Sequence, residues 1–318
     1  MSTALDYVDW RGDLSFSVSP VNEIDELIFA CIGKPDYTGI VPMGGRTVSL
    51  CDAVNAYFSA HDKGSLGLVA SAQTLPMLRK LAVSERFKDI RISGFVNRID
   101  PEMTEQFSAL TVHSPDGVKY VSFRGTDDTL IGWKENCALA VDEPVPAQRD
   151  ALAYLNWAAE VFDGPLVVCG HSKGGNLAIY AACMASEEIQ DRIIEVKSYD
   201  GPGFLPEFTQ TEGFRRMEDR IVTVVPYRSI VGMLLTQVGR LEVVSSQTSG
   251  VAGHDGFTWD VDRSGFIHCE ELSSMSKVFH AAIGEALAGL SQNERRELIE
   301  QIFDLLGSTG AFTLSDFS

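Results

Sequence analysis

The stretch Leu166-Val-Val-Cys-Gly170-His171-Ser172-Lys173-Gly174-Gly-Asn-Leu-Ala178 decides how this chain reads. A short apolar run enters Gly-x-Ser-x-Gly, and small and apolar residues at helical spacing follow. The pattern predicts a strand over Leu166–Gly170, a tight turn at Ser172 and a helix over Gly174–Ser186. Such a turn demands these residue types. Its serine sits in a strained backbone conformation with the hydroxyl raised above the sheet edge, and flanking glycines let neighbouring chain approach. The first helical N–H groups then face the space where an oxyanion forms. Ser172 is therefore the candidate nucleophile, and the Lys173 amide a candidate oxyanion donor. The Lys173 side chain is expected in a salt bridge rather than on an acidic substrate, and His171 is expected to pack beside the turn.

Working outward, strand and helix patterns alternate. Ala109–His113 and Lys119–Arg124 are β-rich and flank the turn signal Ser114-Pro-Asp-Gly117. Gln148–Phe162 reads as a helix with Ala151, Leu155, Ala158 and Phe162 on one face. Short strands are expected at Ile194–Tyr199, Ile221–Val225 and Leu241–Ser245. Alternation of this kind predicts parallel βαβ units, hence an α/β fold with a mostly parallel sheet flanked by helices.

Residues 1–108 read as a mostly helical region packing on a core formed by 109–318. Its helices are expected around Asn22–Ile32, from Ser49, and from Thr74 with Pro76 in the first turn. Met275–Ala288 and a helix opened by the capping box Ser291-Gln-Asn-Glu294 are expected to dress the sheet.

A serine hydroxyl needs an imidazole to take its proton, and the imidazole needs a carboxylate to fix its tautomer. On such a sheet the chain order is Ser, acid, His. His280 lies in a helical pattern and His268 in a hairpin-like one. His254 follows the last expected strand through a loop of small residues and is the candidate base. Asp200, in Ser198-Tyr-Asp-Gly-Pro-Gly203, ends the strand after the nucleophile helix, where ligand crevices form, and is the candidate acid. An Asx turn before Gly-Pro is the other reading of Asp200.

The 318 residues carry 26 basic and 44 acidic side chains, a formal charge of −18. That field disfavours nucleic acid and anionic lipid surfaces as partners. The six cysteines are scattered without a CxxC pair and read as small buried hydrophobes. No metal or cofactor is expected. The opening MSTALDYVDWRGD lacks the basic and apolar regions of a secretory signal, and no apolar run is long enough to span a bilayer. A cytoplasmic protein is expected.

Phe123-Arg-Gly-Thr126, Trp133 and Gly-His-Ser-x-Gly-Gly resemble the class 3 (fungal-type) lipases over residues 105–262. Over most of 20–290 the chain is similar to a little-characterised bacterial family of lipase-like α/β hydrolases of unassigned substrate. The segments carrying this likeness include Arg86-Phe-Lys, Gly132-Trp-Lys-Glu, Ser229-Ile-Val-Gly-Met-Leu and His254-Asp-Gly-Phe-Thr-Trp259. The resemblance implies an α/β-hydrolase fold, an esterase or lipase-like activity on a small-molecule or lipid-like ester, and an oxyanion hole completed by Thr126. One departure stands out: the class 3 pattern places its acid where this chain has Ser229. Asp200, one strand earlier, resembles the placement in pancreatic-type lipases. Leu130–Val141 matches the class 3 lid position, and both a gate and fixed packing remain open for it. A hydrolase fold kept for binding or regulation is the alternative function.

Overall fold

A computed structural model describes residues 1–61, 66, 71–313 and 316. The first part of the chain forms α1 (Ala4–Arg11), α2 (Glu23–Cys31), the short strand β1 (Val48–Ser49), α3 (Leu50–Ala60) and α4 (Thr74–Val83). Strands β2 (Arg91–Asp100), β3 (Glu105–His113) and β4 (Lys119–Phe123) follow, then α5 (Leu130–Ala138) and α6 (Pro146–Val161). The centre holds β5 (Leu166–His171), α7 (Lys173–Met184), α8 (Glu187–Arg192) and β6 (Ile193–Tyr199). The remainder is α9 (Glu212–Met217), β7 (Ile221–Pro226), β8 (Arg240–Val244), β9 (His268–Cys269), α10 (Ser274–Ala288) and α11 (Gln292–Gly307).

Among the described residues the strands form one nine-stranded sheet ordered β1 to β9 as in the chain. It is mixed: β4 to β8 run parallel, while β1 to β4 and the β8–β9 pair are antiparallel. The antiparallel β2–β3 and β3–β4 pairs follow from short connections, since a tight turn between neighbouring strands reverses direction. Strand β2 escapes the sequence pattern for a physical reason. Gly94 adopts φ +68 and the register slips between Ser93 and Val96, so the two-residue alternation is broken mid-strand. The mostly helical region expected over 1–108 therefore also contains β1, β2 and the start of β3.

Alternating side chains sort the sheet into two cores. On β5, Val167 and Cys169 join the apolar cluster of α1 to α4, while Leu166 and Val168 join that of α6, α7 and α9. On β3, Leu110 and Val112 face the first cluster and Phe107 and Ala109 the second. The N-terminal helices are thus one covering layer of the sheet. Phe29 of α2 packs edge-on to Tyr120 of β4 at 4.9 Å between ring centroids. Arg86 holds this layer together from within: fully buried, it pairs with Asp25 and donates to the carbonyls of Leu14, Ser19 and Pro20.

Helices α10 and α11 cover less of the sheet than the pattern leads one to expect: Phe279 of α10 packs on the edge cluster of Val225, Met233 and Val243. Ser276 is their one buried residue, and they sit at the periphery, α11 against α5 through Lys134–Glu300 and α10 against the Val231–Met233 turn through His280. The six cysteines are unpaired; Cys31, Cys169 and Cys183 are buried, whereas Cys51, Cys137 and Cys269 are partly exposed. Among the described residues no helix is long and apolar enough to cross a membrane.

Candidate active site

The link from β5 to α7 is a sharp bend at Ser172, which has φ 60 and ψ −134. A side chain in that region costs on the order of 1–3 kcal/mol and persists only where its surroundings enforce it. Here the Ser172 amide donates to the Tyr199 carbonyl at 2.9 Å, and the Gly175 amide donates to the Ser172 carbonyl at 2.8 Å. The motif glycines answer to packing. A Cβ on Gly174 would lie 2.0 Å from the Phe123 carbonyl oxygen at the end of β4. The Phe123-Arg-Gly-Thr turn is equally close: a Cβ on Gly125 would stand 2.9 Å from Ser172 Cβ.

Those two close approaches set Thr126 in the cleft beside Ser172, and the Lys173 backbone follows Ser172 directly at the start of α7. Among the described residues neither amide donates a hydrogen bond. The Thr126 hydroxyl is engaged with the Asn136 side chain, at 2.9 Å to Oδ1 and 2.6 Å from Nδ2, which fixes the turn and leaves its N–H free. The Lys173 side chain points away into the protein. Its Nζ contacts Glu135 Oε2 at 2.9 Å and the Gln106 carbonyl at 2.5 Å, and both ionic side chains are fully buried. Burial pulls the Lys173 ammonium below its ordinary pKa, against the stabilising pull of Glu135. Glu135 also accepts the Gln106 and Ala147 amides, so the pair is saturated. It ties α5 to β3 and to the start of α6 and α7.

His254 ends a short turn, Gly250–His254, after β8. The turn is braced where the Trp259 indole donates to the Gly253 carbonyl at 2.9 Å, and where Ser71 bonds Asp255. His254 Nδ1 meets Asp200 Oδ2 at 2.7 Å, with the histidine side chain 20% exposed and the carboxylate fully buried. Asp200 stands at the carboxyl end of β6 with φ 50. Its other oxygen accepts the Ser229 hydroxyl at 2.6 Å and the Gly232 amide at 3.1 Å. Asp200 is thus no mere turn-former, and Asp255, next to His254, is occupied elsewhere. The role of Ser229 carries no signal in a single sequence, because its partner lies across a strand.

His171, expected to pack beside the turn, does so against His254. Its ring lies 4.6 Å from that of His254, and its Nε2 donates to the His254 carbonyl at 2.7 Å. Burial, reinforced by the charges of His254 and Lys34, drives its pKa well below the ordinary imidazole value, so the ring is neutral with its proton on Nε2. It positions the backbone of His254.

Ser172 and His254 line one cleft of about 70 Å³, with Lys34, Arg124 and Thr126 around them. Among the described residues no hydrogen bond reaches Ser172 Oγ. At the β8–β9 edge, Glu23, Glu242 and His268 bring ligand-type atoms within 4.8 Å of one another. Glu23 lies 3.4 Å from His268, and Arg240 pairs with Glu242 at 3.0 Å.

A family model described as Mbeg1-like matches residues 81–304. Among solved structures, the M37 lipase aligns at 14% identity over 65% of this chain and 67% of its own, with a TM-score of 0.38. The Rhizomucor miehei lipase in its propeptide complex aligns at 16% identity over 60% of this chain and 65% of its own, TM-score 0.36. A lipase from Rhizopus microsporus var. chinensis aligns at 14% identity over 77% and 90% of the two chains, TM-score 0.34. No curated protein matches the chain.

Proposed function

The chain belongs to the Mbeg1-like family, and from that premise we propose that it is a serine acyl hydrolase of lipase-like α/β-hydrolase architecture. It cleaves a carboxylic ester or thioester through an acyl-enzyme on Ser172. The observation that carries this reading is the 2.7 Å contact of His254 Nδ1 with buried Asp200, on a histidine that shares its cleft with Ser172.

Chemistry follows from these positions. Asp200 accepts the Nδ1 proton of His254 and so leaves Nε2 free to act as base. Ser172 Oγ bonds to the carbonyl carbon while its proton passes to His254 Nε2. The carbonyl oxygen gains the negative charge and receives the unpaired N–H groups of Lys173 and Thr126, with the α7 dipole behind them. Collapse breaks the bond to the alcohol or thiol, which leaves with the proton from His254. Water then releases the acid by the same steps in reverse. The scheme runs on these groups alone, without metal or cofactor.

The reading of a binding protein rested on Ser229 at the class 3 acid position, and the Ser229–Asp200–His254 chain of hydrogen bonds favours catalysis over it. Labelling with a fluorophosphonate probe tests the proposal. Wild type is expected to label on Ser172 and Ser172→Ala to remain blank. Failure of wild type to label, or equal labelling of both proteins, overturns it.

A further inference from the structure

The cleft holds a cation that the catalytic scheme does not use. Lys34 follows α2 through the turn closed by its amide on the Cys31 carbonyl at 3.2 Å, with Pro35 buried behind it. Its Nζ stands 5.3 Å from the Phe257 ring centroid, and its charge reaches the imidazole of His171 beside Ser172. Among the described residues Lys34 makes no ion pair and no side-chain hydrogen bond. Most other cations near buried surface are committed. Lys173 has Glu135, Lys197 has Glu26 and Glu195, and Arg86 has Asp25. Arg124, on the same cleft, is held by Asn97 at 2.9 Å and Asp127 at 3.2 Å.

An ammonium that lines the same cleft as Ser172 and has no ion pair among the described residues is unusual in a chain whose net charge is −18. The global field repels anions, so this lysine is a local reversal of sign at the point where a substrate must sit. The cleft is also small. At about 70 Å³ it falls well short of the roughly 300 Å³ and more of pockets that enclose drug-sized ligands. Among the described residues the space beside the serine suits a short acyl group.

We propose that Lys34 is a specificity-determining residue and that the substrate is a short ester bearing an anionic carboxylate or phosphate, seated on the Lys34 ammonium while its carbonyl meets Ser172. The assignment rests on the hydrolase reading above and adds to it the class of substrate. An ammonium facing a ligand anion in a partly dry cleft gives a charge-assisted hydrogen bond stronger than a neutral one. A change of about tenfold in kcat/KM is the size expected from one such contact.

Two matched pairs of esters separate the sources of charge. Monomethyl succinate against methyl butanoate places a carboxylate on the acyl side. 1-Acetylglycerol 3-phosphate against 1-acetylglycerol places a phosphate on the alcohol side. Hydrolysis is followed by pH-stat for wild type, Lys34→Ala, Lys34→Glu and Lys34→Arg. Wild type is expected to favour the charged member of one pair about tenfold in kcat/KM, and that pair identifies the anion. Lys34→Ala should level the ratio, Lys34→Glu invert it and Lys34→Arg keep it. A merely structural lysine would leave the ratio unmoved, and an unmoved ratio overturns the proposal while the hydrolase reading stands.

Binding to Ser172→Ala, measured by calorimetry with the same four esters, keeps the two failures apart. Lys34-dependent binding of the charged ester without turnover by wild type supports the anion seat and sinks the hydrolase reading. Absence of both binding preference and turnover overturns both.

Discussion

Ser229 donates its hydroxyl hydrogen to Asp200 Oδ1 at 2.6 Å while the opposite oxygen of the same carboxylate meets His254 at 2.7 Å. The Ser229 side chain thus orients the carboxylate that faces His254. A carboxylate at residue 229 would crowd Asp200; a hydroxyl there orients it. The Gly232 amide supplies the second donor, so the carboxylate plane is set from two sides before the imidazole is added.

Ser229→Ala removes one of those two donors and should lower kcat about tenfold with KM unchanged, and Ser229→Thr should restore most of it. Asp200→Asn, which presents the wrong hydrogen-bonding face to His254, should cost on the order of 10³–10⁴ in kcat. The rate of fluorophosphonate labelling reports both without knowledge of the substrate. Wild-type labelling by Ser229→Ala would show that Ser229 has no part in setting Asp200.

Gly174→Ala places a Cβ 2.0 Å from the Phe123 carbonyl oxygen, a backbone atom of the sheet that has nowhere to go. The substitution should destabilise the fold by roughly 3 kcal/mol, the upper end for overpacking. Gly284→Ala is the control. Nothing stands within 4 Å of its Cβ on α10, and it should gain roughly 0.5–1 kcal/mol from helix propensity. Urea midpoints of the two variants moving in the same direction would contradict this account.

Much of the site is written locally. Five residues around Ser172 specify the bend because the chemistry of a sharp turn is local, and Asp200 ends a strand whose apolar run is plain. Pairings across the fold are not written that way. Nothing near Glu135 in the sequence announces Lys173, and nothing near Ser229 announces Asp200, since each bond spans separate elements. Strand β2 hides behind the kink at Gly94, and the peripheral seat of α10 and α11 is invisible because an amphipathic pattern names a buried face without naming what covers it.

Glu135→Ala should strand the Lys173 ammonium in the interior and cost about 3–5 kcal/mol, as broken buried pairs do. Replacing both partners at once, Lys173→Met with Glu135→Leu, should cost less than Glu135→Ala alone, since no charge is left unpaired. A double variant no more stable than the single one in denaturant titration would argue against the pair as the reason α5 stays in place.

His113 should make the protein lose stability on the acid side. Burial, with Lys119 and Arg91 nearby, pushes its pKa down to about 4, and its Nε2 is tied to Ser93 Oγ at 2.7 Å. In the unfolded chain the ring takes its proton near pH 6.5, so between about 6.5 and 4 the unfolded state holds more protons than the native one. The His113 contribution is whole above pH 6.5 and declines as pH falls to about 4. Urea midpoints at pH 7 and pH 5 should differ less in His113→Gln than in wild type; an unchanged difference rejects the assignment.

The layer of α1 to α4 emerges from the ribosome before most of the surface it covers. Leu27, Phe29 and Leu81 are made long before Val167, Tyr199 and Val224, yet all of them belong to one apolar cluster. During synthesis these amphipathic segments wait without a partner, which is the condition under which nascent chains recruit chaperones or clump. Expression yield should therefore depend on translation tempo and holdase supply, and fragments that stop short of β7 should be recovered as inclusion bodies.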